Sequence, residues 1–181
     1  MESARDLFIA RGYARVTMND IARTAGTALK TVYASVGTKT DILHRLIEID
    51  MADSMCKKTV ENLRDAADFA TSIALVARGT RTDNERSRST LDLLDASVAS
   101  DDGARRTWEH VVSGYRAGLR ASGEVMLGKG FLDPRYDLDG VTDRLWFCFG
   151  LSAWRTLIVE CGWTYDEAER TLARQATFIF E

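Results

Sequence analysis

SARDLFIARGYARVTMNDIARTAGTALKTVYASVGTKTDIL, residues 3–43, is the stretch that decides the fold of this chain. Ala4, Leu7 and Phe8 make one apolar stripe at helical spacing. Gly12 stands just past its end, where a left-handed residue closes a helix without a Cβ clash. Thr17 is followed three residues later by Asp20, a pattern in which two side chains satisfy the free N–H groups of a helix start. Ile21, Ala22 and Ala25 are expected to form the buried face of that second helix, which Gly26 ends. A third helix of one or two turns runs from Ala28 to Ser35 and stops at Gly37. Thr38 and Asp41 then repeat the capping pattern and open a longer helix, predicted to reach about Ala66. Two short helices joined by a tight glycine-containing turn form a helix-turn-helix, whose second helix is free to lie in a major groove.

These residues resemble the amino-terminal DNA-binding domain of the TetR family of one-component transcriptional regulators. The likeness runs in register from Leu7-Phe8 through Arg11-Gly12-Tyr13, Thr17, Asp20-Ile21-Ala22, Ala25-Gly26, Thr31-Val32-Tyr33, Gly37, Lys39 and Leu43. It implies an all-α protein of about nine helices. Residues 1–45 would form a three-helix DNA-binding head, and residues 46–181 a larger helical domain for ligand binding and dimerisation. Two departures stand out. Thr27 and Ala28 occupy positions where relatives usually carry an apolar residue and then Ser, and Ala34, Ser35 and Val36 replace a basic or aromatic pair and a Phe. Loss of the hydroxyl cap at Ala28 should cost the recognition helix about 1 kcal/mol unless Thr27 substitutes for it. Ala34 and Ser35 remove two expected phosphate contacts.

Charge is distributed as a DNA-binding head on another domain requires. The chain carries a net −3, but residues 1–45 hold seven basic residues against four acidic ones, a surplus of three, so the remainder carries −6. A single proline, 45% hydrophobic and 28% charged residues suit a soluble, mainly helical protein with a buried core. The most apolar run, Leu145 to Val159, contains Arg155 and is too short to span a bilayer. With three cysteines in no CxxC spacing and no signal peptide, a reducing cytoplasm is the expected location.

Beyond the head the sequence shows no strand alternation. One helix is predicted from about Asp68 to Gly79, then a polar break from Thr80 to Asn84, then a helix through Leu91, Leu94 and Val98. Another begins near Asp102 and carries Trp108, Val111, Tyr115 and Leu119; a loop with Gly123, Gly128, Gly130 and Pro134 follows it. Leu138 to Cys161 reads as one helix apolar on two faces, with Trp146, Phe149, Ala153 and Leu157 on one and Leu145, Cys148, Ser152 and Val159 on the other. Gly162 ends it, and Thr164 with Glu167 caps a last helix lined by Tyr165, Ala168, Leu172, Ala176 and Ile179. Two such helices with a face to spare predict a two-fold homodimer with a four-helix interface.

Catalysis has little support. Gly123 to Gly130 matches GxxxxGK, but Gly130 replaces the Ser or Thr that would hold Mg²⁺, no strand precedes it and Pro134 follows. His44 and His110 are the only histidines, and neither is read as having a ligand-spaced partner. No catalytic residue, metal or cofactor is assigned, and the chain is not expected to be an enzyme.

The resemblance and the helix-turn-helix together assign double-stranded operator DNA to Thr17, Thr27, Leu29, Lys30, Thr31, Tyr33 and Lys39. Leu29, Lys30 and Thr31 occupy the first turn of the recognition helix, with Lys30 set to donate to guanine. Tyr33 is expected to pack its ring on the head's core and offer its hydroxyl to a phosphate. Lys39 and Thr17 would meet phosphates at helix starts. Trp108, Tyr115, Trp146, Phe149 and Trp154 are the group expected to line a site for an apolar or aromatic effector. The function implied is a ligand-responsive regulator, by default a repressor, that binds a palindromic operator as a homodimer and is released by a small molecule. The alternative is a helical small-molecule-binding or enzymatic bundle that has lost DNA binding.

Overall fold

Helix α1 (Glu2–Arg11) turns Ala4, Leu7 and Phe8 inward, as their spacing demands. In the computed structural model, which describes residues 1–52 and 54–180, a 3-10 turn (Tyr13–Arg15) leads to α2 (Met18–Thr24), α3 (Leu29–Val36) and α4 (Lys39–Ala52). The capping pattern at Thr17 forms in both directions: Asp20 N donates to Thr17 Oγ1, and Thr17 N donates to Asp20 Oδ2. Thr38 and Asp41 do the same for α4. Ile21 and Ala22 are buried but Ala25 is exposed, because α2 ends at Thr24 and Ala25 is already its cap.

The remaining helices are α5 (Cys56–Arg64), α6 (Phe69–Val98), α7 (Asp102–Gly128), α8 (Leu138–Phe149), α9 (Leu151–Arg155) and α10 (Tyr165–Ile179), with a π-helical turn (Thr156–Glu160) after α9. No strand occurs among the described residues. Four predicted boundaries are corrected. The helix from Thr38 does not continue to Ala66: α4 ends at Ala52 and α5 starts at Cys56, residue 53 lying outside the described residues. The Asp83 carboxylate takes the Met55 N–H at 2.8 Å and the Ser54 hydroxyl at 2.7 Å, building a new helix start there.

Thr80 to Asn84 is not a break but the middle of α6, since its polar groups have partners. Thr80 donates back to the Val76 carbonyl, and Arg81 pairs with Asp166 and Glu169 of α10 at 2.5 and 2.7 Å. Gly123 and Gly128 belong to α7; a Cβ on Gly123 would come within 2.8 Å of Val141, so its bareness lets α8 pack close. The helix from Leu138 is interrupted at Gly150, whose extended backbone breaks it and where a Cβ would sit 2.5 Å from the Trp146 carbonyl oxygen. Ser152 and Val159, expected on a buried face, are exposed, because this interruption and the π-helical turn change the register.

Packing divides the chain into two units. The first joins the head and the rest of α4 to residues 86–111; the second joins residues 54–85 to those from 112 onward. This division does not follow a cut after residue 45. Helices α6 and α7 each contribute to both units, whereas α4 stays in the first. The second unit holds one apolar core built on Leu63, Ile73, Leu145, Phe149, Trp154 and Leu172, in which α8 packs on α10.

Candidate nucleic-acid interface

Val32 is buried and pins α3 to the head, while its neighbours Lys30, Thr31 and Tyr33 face outward. Leu29 is half-buried at the helix start, and Thr27 is exposed on the turn before it. Tyr33 is 49% exposed, so its ring does not fill the core as expected; Val32 takes that role. No side chain caps α3, and Thr27 does not replace the missing hydroxyl. The Thr27 N–H instead closes α2 on the Ala22 carbonyl at 3.0 Å. Ser35 turns its hydroxyl back onto the Thr31 carbonyl of its own helix.

The head's positive charges differ in how far they are engaged. Arg23 pairs with Asp20 at 2.8 Å and Arg11 approaches the same carboxylate at 4.0 Å. Hydrogen bonds from the Thr17 hydroxyl and N–H hold that carboxyl below its usual value. Thr17 is thus occupied as a cap, although exposed. Lys39 is turned inward: its ammonium donates to the carbonyls of Tyr13 and Val16 at 3.0 and 3.2 Å and lies 4.3 Å from the centre of the Tyr13 ring. Lys30 and Arg15 are exposed and make no ion pair among the described residues. Arg15 was not singled out by sequence, its one signal being a charge in the turn before α2.

A polar node centred on Asp101 has no signal in the sequence either. Its Oδ2 accepts from the Tyr13 hydroxyl at 3.0 Å and the Thr40 hydroxyl at 2.8 Å, while Oδ1 accepts the Ala104 N–H at 3.0 Å and caps α7. Burial raises the Asp101 pKa, but these donors outweigh it and hold the carboxyl below its usual value. Burial, with the carboxylate alongside, pushes the Tyr13 phenol up to about 12. One carboxylate therefore ties the 3-10 turn and the first turn of α4 to the start of α7.

A head with an outward-facing recognition helix over a capped partner helix corresponds to a described family. Residues 1–46 match "Bacterial regulatory proteins, tetR family". The amino-terminal head is similar to that family's DNA-binding domain. Several solved structures share the fold across nearly its whole length. The transcriptional regulator FadR from Bacillus subtilis, solved with stearoyl-CoA, is 16% identical with a TM-score of 0.72, the match covering 97% of this chain and 94% of that one. The TetR-family regulator PfmR from Thermus thermophilus is 17% identical with a TM-score of 0.66, covering 99% and 95%. GusR from Salmonella enterica is 13% identical with a TM-score of 0.72, covering 99% and 92%. No curated protein sequence matches.

The five aromatics named for an effector do not form one group. Phe149 and Trp154 are fully buried in the second unit's core; Tyr115 and Trp146 pack against it and meet each other edge to face, 5.8 Å between ring centres. Trp108 belongs to the first unit, since α7 passes between units after Val111. Of the other motifs, Lys129 is committed to the Arg64 carbonyl at 2.6 Å and lies over the Phe131 ring. His44 does have a helical-spacing partner, Glu48 at 3.9 Å, contrary to the sequence reading, but the pair is exposed. No group of three or more metal-ligating residues occurs among the described residues. No described helix is long and apolar enough to cross a membrane. The second unit exposes Phe147 of α8 (64%) and Phe178 of α10 (75%). Leu172 is buried and Leu157 packs against the core, so neither of them leads an outward face.

Proposed function

We propose that the protein is a ligand-responsive transcriptional repressor of the cytoplasm that binds a palindromic operator as a homodimer. The observation that carries this reading is the outward face of α3, where Lys30, Thr31 and Tyr33 are exposed beside a buried Val32. Lys30 reads a base edge, and Thr27, Thr31 and Tyr33 meet the adjoining backbone with Arg15 and the uncapped N–H groups of α3. Leu29 offers apolar contact at the helix start. Thr17 and Lys39 act mainly by holding α2, one as its cap and the other by fixing the turn before it.

Phe147 and Phe178 form the centre of the two-fold interface, placing two recognition helices on successive major grooves about 34 Å apart. A small molecule held among Tyr115, Trp146, Phe149 and Trp154 shifts the course of α6 or α7. Asp101 passes that shift to Tyr13 and Thr40. Coupling of this kind is worth about 1–3 kcal/mol.

The test is a salt titration of operator binding. Lys30→Ala should relax preference at one position per half-site, at about 1–3 kcal/mol. Lys39→Ala should weaken all sequences alike and leave the log–log salt slope unchanged, since its charge is spent inside the head. A slope shallower by one unit per subunit would restore Lys39 as a phosphate contact, and unaltered binding by both variants would overturn the docking. Light scattering should give twice the 20.2 kDa chain mass, reduced to a monomer by Phe178→Glu; a wild-type monomer would remove the paired-groove arrangement.

A further inference from the structure

Inside the second unit's apolar core lies a hydrogen-bonded cluster left incomplete at two points. The Tyr115 hydroxyl donates to the Phe149 carbonyl at 2.8 Å and accepts from Asn84 Nδ2 at 2.9 Å. The same Nδ2 donates to the Thr80 carbonyl at 2.8 Å. That second bond fixes the amide, because turning it over would set two oxygens against each other. Asn84 Oδ1 is then left buried without a donor, in a residue 1% exposed. The indole of Trp154, 0% exposed, approaches the same tyrosine hydroxyl without completing a hydrogen bond, leaving Nε1–H buried and unpartnered.

The two open groups are complementary, one acceptor and one donor. Buried polar groups are nearly always paired, and leaving one unpaired is costly. Among the described residues a further buried atom without a partner, Asp50 Oδ2, differs in kind: it is the second oxygen of a carboxylate already paired with Arg5. The surroundings are apolar and aromatic. Trp154 lies between the interruption at Gly150 and the π-helical turn at 156–160, a feature that often marks functional positions. Its ring stacks near Tyr165, and Trp146 and Phe149 add apolar surface.

We propose that this cluster is the polar end of the effector site and takes a neutral, largely apolar molecule through a single hydroxyl group. That hydroxyl accepts from Trp154 Nε1 and donates to Asn84 Oδ1. A carboxylate cannot donate to Asn84, and the neighbouring Asp83 carboxylate repels it further. An ammonium cannot accept from Trp154. The inference rests on the effector reading above and narrows it to uncharged alcohols or phenols.

The experiment uses the full chain and matched probes: 1-hexanol to 1-decanol and 2-naphthol, each with its carboxylate and its parent hydrocarbon. Binding is measured by tryptophan quenching and thermal shift, and release by displacement from operator DNA. At least one hydroxyl probe should bind at least about tenfold tighter than both its relatives, since even one of its two hydrogen bonds is worth about that factor. Trp154→Phe should erase that advantage while leaving hydrocarbon binding in place. A crystal structure of the wild type with the bound alcohol provides a check that needs no variant: its oxygen should lie about 2.7–3.2 Å from both Trp154 Nε1 and Asn84 Oδ1. A carboxylate or hydrocarbon that binds best and releases DNA would overturn the hydroxyl site and leave the effector reading standing. Failure of every probe to bind, or an ordered water joining the two groups that no alcohol displaces, would overturn the hydroxyl site itself.

Discussion

The two units of this protein each contain a tyrosine hydroxyl at the centre of a polar node, and the nodes are finished to different degrees. In the first, Asp101 accepts from Tyr13, Thr40 and Ala104. In the second, Tyr115 joins Asn84 to Phe149, but Asn84 Oδ1 and Trp154 Nε1 remain open. A node with every role filled holds helices in one arrangement. A node with complementary groups left open is a place where a guest alters the arrangement. The contrast separates the part of the molecule that holds the recognition helix from the part proposed to respond to an effector.

Breaking the closed node should have the larger effect. Asp101→Ala removes the cap of α7 and leaves the Tyr13 and Thr40 hydroxyls without their acceptor, at an expected cost of about 2–3 kcal/mol. For a chain of this size that lowers the melting temperature by about 5–10 °C in calorimetry. A loss below about 0.5 kcal/mol would show that the node is ornamental.

The pH dependence of unfolding sharpens the same point from both sides. Asp101 has a lowered pKa in the folded state, so its contribution is complete above the ordinary carboxylate value near 4 and is lost as pH falls through the lower folded value. Tyr13 has a raised pKa, so its contribution is complete below the ordinary phenol value near 10 and disappears as pH rises toward about 12. Denaturant midpoints against pH should show both limbs in the wild type. Asp101→Ala should diminish both, because the carboxylate contributes to the Tyr13 shift. An alkaline limb that stayed unchanged in that variant would uncouple the two groups.

Trp154→Phe should have the smallest effect on the ligand-free protein. It removes a donor that has no partner, so the relief of an unpaired buried group offsets the loss of volume, and the net change should stay within about 1 kcal/mol. A destabilisation of about 3 kcal/mol would mean the indole N–H is satisfied in solution and the second node is closed as well.

Helix starts were the most legible feature of the sequence. Thr17 with Asp20, Thr38 with Asp41 and Thr164 with Glu167 each specify a start using groups only three residues apart, and all three form as read. The continuity of long helices was much less legible. Thr80 to Asn84 looked like a break because its polar side chains carry no local sign of their partners, which lie on α7 and α10. The break before α5 depends on Asp83, nearly thirty residues away. Among the site residues, the exposure of Lys30 and Thr31 agrees with their place on the first turn of the recognition helix, but the inward turn of Lys39 was not legible. A lysine on the first turn of a helix reads as a phosphate contact until the carbonyls of Tyr13 and Val16 are found beneath it.

The sequence by itself determined the helix-turn-helix head, its caps and the surplus of positive charge that suits it to DNA, because each of these rests on spacings of a few residues or on composition. Only the tertiary structure decided which charges remain outward, which aromatics share a core and where polar groups are left without partners. Those properties depend on side chains distant in the chain meeting in space. Asp101 with Tyr13 and Asn84 with Tyr115 are pairs that no local spacing encodes.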